Sequence, residues 1–145
     1  MNRRISIGAA GLLTAQAAYV GSWAGLFPRA FYDAFPGWNR YWVSSDGPYN
    51  EHLVRDVGGL YLALAAAGVL ALIWRDDRSL TLLGSAWAVF SMLHLGYHLA
   101  HLDELTFAVD RVGEVVTLGG FVALALLVLA PTWATTPMGS TEAAR

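Results

Sequence analysis

Four stretches of this chain run for at least 18 residues without a formally charged side chain: Ile5–Phe27, Val57–Trp74, Ser79–Leu102 and Val115–Thr136. At about 1.5 Å of rise per residue, about 20 residues cross a hydrocarbon layer of roughly 30 Å. Only helices and closed barrels satisfy every backbone group in that layer. The runs show no period-two alternation, so they predict helices rather than barrel strands. Composition agrees. Of 145 residues, 56% are hydrophobic and 14% charged, with a mean hydropathy of +0.46. That balance excludes a disordered chain or an ordinary soluble domain.

The runs predict an all-α fold, an integral membrane antiparallel four-helix bundle. A single transmembrane domain over residues 1–136 has spans at about 5–27, 51–74, 79–102 and 111–133 and an outer capping loop at 28–50, followed by a flexible cytoplasmic tail at 137–145. The first run also has signal-peptide traits, with Asn2-Arg3-Arg4 before it and Ala15-Gln16-Ala17 as a small-residue cleavage pattern. It continues to Phe27, well past the usual ~7–15-residue apolar core of a signal, so a retained helix is the better reading. Expected caps are Asn50 or Asp46 before the second span, Asp77 or Ser79 before the third and Asp110 before the fourth, with Pro131 and Pro137 near the end.

Arg3, Arg4, Arg75, Arg78 and Arg145 gather on one side of this topology, against Arg29, Arg40, Arg55 and Arg111 on the other. The positive-inside rule then puts both termini in the cytoplasm. The first loop carries Phe31, Tyr32, Phe35, Trp38, Tyr41, Trp42 and Tyr49, amphipathic rings suited to the headgroup zone, and is expected to cap the outer surface. Small residues are expected at helix contacts: Ala17, Gly21 and Gly25 in the first span, Gly58, Gly59, Ala63 and Ala67 in the second, Gly84 and Ala88 in the third. They also permit a homodimer or a partner membrane protein.

The polar chemistry falls at one end. His52, His94, His98 and His101 all lie at the outer ends of the second and third spans, and eight of the eleven acidic residues share that half. On the third span His94, His98 and His101 fall within roughly a 60° arc, continued inward by Ser91 and Trp87, although His94 and His101 stand about 10 Å apart along the axis. His52 and Asp56 are one turn apart with Arg55 beside them, Glu51 reaches Arg55 as an i, i+4 pair, and Asp110 and Glu114 are again one turn apart. Imidazole with carboxylate and no thiolate suits Fe, Cu, Zn or Mn. The expected metal ligands are His52, His94, His98, His101, Asp110 and Glu114, with Arg55 and Asp56 as cofactor-binding or orienting groups. No residue has a defined catalytic role. The chain has no cysteine, so disulfides and thiolate sites are excluded, and a net charge of −2 gives no sign of nucleic-acid binding.

The segment Phe35-Pro36-Gly37-Trp38, the block from Gly47 to Leu60 and the stretch from His94 to Asp103 together resemble a group of small four-span actinobacterial membrane proteins, more distantly the DoxX-like superfamily. The resemblance covers roughly residues 27–125. It implies a four-helix membrane fold in a bacterial inner membrane, and because DoxX-like proteins include quinone-linked redox subunits it favours redox chemistry. It assigns no site residue.

Three functions follow from the polar end. The first is a membrane-embedded metal-binding protein, extending to a metal-dependent oxidoreductase acting on a lipophilic small molecule. The second is a non-enzymatic structural or accessory subunit whose polar end is a lock. The third is an electron-transfer protein holding b-type haem or a quinone.

Overall fold

A computed structural model describes residues 3–38 and 40–133, with side chains through residue 130; the expected tail at 137–145, with Pro137 and Arg145, lies outside the described residues. The described chain is all helical, in the order α1 (Arg3–Leu26), α2 (Pro28–Ala34), α3 (Trp42–Ser45), α4 (Glu51–Trp74), α5 (Asp77–Ala100) and α6 (Ala108–Trp133), with one 3-10 turn at Leu102–Glu104. Among the described residues three helices are long and apolar enough to cross a membrane: Glu51–Trp74, Asp77–Ala100 and Ala108–Ala130. Helix α1 is as long as α4 but carries Ser6, Thr14 and Gln16, which make it less apolar. Ser6 and Thr14 are buried and bonded to carbonyls, Ser6 Oγ to Leu127 O at 2.9 Å and Thr14 Oγ1 to Ala10 O at 2.7 Å.

The helix starts have identifiable caps. Asn50 accepts from Leu53 N ahead of α4 at 3.2 Å. At α5 the cap is Asp76, one residue before the expected Asp77, and it accepts from Arg78 N at 3.0 Å and Ser79 N at 2.9 Å. The expected cap Asp110 instead sits inside the first turn of α6 and turns its carboxylate toward the capping loop. Arg75 ends α4 in the left-handed region at φ 54.

Helix α1 packs most extensively on α4, and α5 on α6, with α1 also against α6. The start of α1 meets the α4–α5 turn, where Arg3 bonds Arg75 O and pairs with Asp77. The end of α1 meets the start of α4, where Arg55 Nη1 donates to Gly25 O at 2.6 Å and Nε to Glu51 Oε1 at 2.8 Å. Between these ends the α1 and α4 backbones touch through glycine. A Cβ on Gly58 would collide with the backbone of Gly25 and Ala24, and one on Gly68 would overlap Thr14. Gly84 performs the same role between α5 and Leu129 of α6. Gly59, expected at a contact, has open space, and Ala63 and Ala67 are exposed.

The interior centres on Trp87, 0% exposed, whose ring lies 5.8–6.3 Å from those of Tyr61, Phe90 and Phe121. Three helices therefore meet around one indole. Among the described residues, Gln16 Oε1 and Trp87 Nε1 are buried side-chain atoms without a hydrogen-bond partner.

Candidate functional site

The capping loop folds as α2 and α3 over the end of the long helices that carries the histidines. Proline at the first position of α2 starts that helix, since its missing N–H costs nothing there. An aromatic ladder then ties the loop down: Trp23 to Phe31 at 5.7 Å, Phe31 to Phe35 at 4.8 Å and Phe35 to Trp42 at 6.4 Å. Asp110 of α6 is the polar anchor, with one carboxylate oxygen accepting from Arg40 Nη1 at 2.9 Å and Trp42 Nε1 at 3.1 Å. Further out, Tyr32 donates to Gly47 O at 2.6 Å.

Beneath this cap lies a cavity of about 290 Å³. Its apolar wall includes Phe31, Phe35, Trp42, Val54, Tyr61 and Phe121, drawn from α2 and the residue after it, α3, α4 and α6. Its polar groups are Gln16, Asp46, His94, His98, Glu114 and Thr117. Apolar walls with a few polar groups are the usual form of a small-molecule site.

The strongest polar feature is the pair between His98 Nδ1 and Glu114 Oε1 at 2.9 Å, with side chains only 13% and 5% exposed. A lone charge so buried is strongly disfavoured, whereas an imidazole and a carboxyl group facing each other make a neutral unit in either protonation arrangement. His94 extends the pair, its ring 4.7 Å from that of His98 and stacked on Phe90 at 5.2 Å. At the cap, burial and the neighbouring Glu104 carboxylate push Asp46 up to about 6, against an opposing pull from His101.

The residues expected to form one metal centre occupy four places. His98 and Glu114 join, with His94 alongside. Asp110 belongs to the cap anchor. His101 stacks on Tyr97 at 4.2 Å and its Nδ1 donates to Tyr97 O at 2.8 Å. His52 pairs at 3.3 Å with Asp56, both on the exposed side of α4, and Arg55 joins the end of α1 to Glu51. Among the described residues no group of three or more His, Asp or Glu is placed to hold a metal ion. Gln16, Tyr61, Thr117 and Phe121 were not singled out in the sequence as site residues. Gln16 carried the clearest available signal, as an uncharged amide midway along an otherwise apolar run.

No protein-family model, curated protein or solved structure matches this chain.

Proposed function

We propose that this chain is an integral membrane protein that binds a lipophilic small molecule in the cavity under its capping loop, with the ligand's polar end against His98 and Glu114. One observation carries the reading: a roomy aromatic cavity and a buried, mutually neutralised His–Glu pair share the same wall. The four long helices form an antiparallel bundle in this reading, supported by the contacts of α1 with opposite ends of α4. The membrane is a bacterial inner membrane with both termini cytoplasmic in this reading, supported by the arginine distribution.

The test is equilibrium dialysis of 4-hexylphenol against protein in nanodiscs, with empty nanodiscs as the blank. Saturable binding is expected, weakened about tenfold or more by Thr117→Trp, which fills the cavity. Uptake no greater than that of empty discs refutes the reading. Metal analysis and an absorption spectrum of the same preparation address the metal and haem readings. Stoichiometric metal lost in His98→Ala and Glu114→Gln would shift the assignment to a metal centre. The absence of native cysteine makes the topology directly testable, with Trp38→Cys labelled from outside and Arg78→Cys only from the cytoplasm.

A further inference from the structure

At the end of the long helices opposite the capping loop, a groove of about 380 Å³ lies between α4 and α5. Its apolar lining includes Ala67 and Ala71 of α4 and Leu82 and Ala86 of α5, and Trp74 and Arg78 line it at the helix ends. Ala67 stands about 10 Å along α4 from Trp74, and Ala86 about 12 Å along α5 from Arg78, so the groove reaches from the helix ends into the apolar spans. Leu82 is 73% and Trp74 63% exposed, so it opens outward, toward lipid in the membrane reading.

Positive charge collects at the same end. Arg3, Arg4, Arg75 and Arg78 stand against Asp76 and Asp77, an excess of two positive charges among the described residues. Asp77 faces Arg3 at 3.6 Å, and Arg75 Nε donates to Leu72 O at 3.0 Å. Asp76 also lines the groove, but its carboxylate is taken up by the start of α5, accepting from Arg78 N, Ser79 N and Ser79 Oγ. The Arg78 guanidinium enters no ion pair among the described residues. A guanidinium matches the geometry of a phosphate, and an indole ring suits the headgroup level.

Resting on the membrane reading above but not on the cavity under the loop, we propose that this groove holds one acyl chain of an anionic phospholipid, with the lipid's phosphate on the Arg78 guanidinium beside Trp74. The apolar lining supplies the place for the chain, and the excess of arginine selects an anionic headgroup over a zwitterionic one.

The experiment is native mass spectrometry of the full chain in detergent, titrated with dioleoyl phosphatidylglycerol or dioleoyl phosphatidylcholine. The first phosphatidylglycerol adduct is expected to be about fivefold tighter or more, the worth of one arginine near an anionic headgroup. Arg78→Gln should remove most of that preference. Ala86→Phe, which fills the groove without changing charge, should weaken the same adduct by a similar factor; Ala67→Phe takes its place if Ala86→Phe fails to fold, as judged by thermal unfolding. Equal affinity for the two lipids overturns the proposal, as does a preference that survives Arg78→Gln. An adduct untouched by a folded groove-filling variant overturns the seat of the acyl chain. Displacement by millimolar glycerol 1-phosphate would show a site for free phosphate, and a dimer that Ala86→Phe dissociates would show a second copy in the groove; either result overturns the lipid as occupant. Release of the chain from membranes by alkaline carbonate would instead remove the membrane reading, and this inference with it.

Discussion

Two adjacent glycines in α4 should respond in opposite directions to the same substitution. A Cβ on Gly58 would meet the backbone of Gly25, with Gly25 Cα at 2.6 Å, and Ala24 C at 2.9 Å, whereas a Cβ on Gly59 meets nothing within 4 Å. Backbone cannot swing aside as a side-chain tip can. Gly58→Ala therefore forces α1 away from α4, and overpacking of this kind costs about 1–3 kcal/mol. Alanine's better helix propensity returns about 1 kcal/mol, leaving a net loss of up to about 2 kcal/mol. Gly59→Ala receives the propensity gain alone. At about 3 °C per kcal/mol for a chain of this size, the pair translates into a fall of up to about 6 °C for Gly58→Ala and a rise of up to about 3 °C for Gly59→Ala. Thermal unfolding in detergent, followed by tryptophan fluorescence, reads both. Equal effects, or Gly59→Ala as the damaging change, would refute the α1–α4 register.

Other consequences are independent of that contact. Asp110→Ala removes the acceptor shared by Arg40 and Trp42; with Arg40 37% exposed on its side chain, the loss is discounted to about 1–2 kcal/mol, and limited proteolysis should cut faster within residues 28–50. Asp76→Ala should cost about 1 kcal/mol through the lost cap of α5, measurable as a lower unfolding midpoint. The docked loop holds the Asp46 proton more tightly than the unfolded chain does, so its contribution to stability is greatest below the usual carboxylate range. That contribution is lost as pH rises to about 6 and stays level above that. Protease resistance of the loop should follow this curve, and Asp46→Asn should flatten it.

Much of the fold was legible because charge-free length is a coarse signal that tolerates error at the ends. Each of the four predicted spans corresponds to a long helix, and the first loop, expected as an aromatic cap, folds as α2 and α3 against α6. The site was legible where helix phase alone decides. His94 and His98 fall within about 20° of Trp87 on α5, and Glu114 within about 20° of Ala125 on α6, both fully buried positions, so these three face inward together. The same arithmetic puts His52 about 180° from buried Tyr61 on α4, which explains why it points away. Shared depth had suggested a common centre, but depth does not fix rotation. The phase of α4 also separates Gly58 from Gly59, which composition treats alike. Asp110 was misassigned for a different reason: its partners, Arg40 and Trp42, come from a loop whose path no helical periodicity encodes.

Photo-crosslinking in intact membranes tests the central claim most directly, using a diazirine-bearing alkylphenol with 4-hexylphenol as competitor. The account predicts competable labelling on cavity residues from separate helices, such as Phe31, Tyr61 and Phe121. Labelling confined to outward-facing positions such as Leu93 and Val116, and unaffected by the competitor, would contradict it.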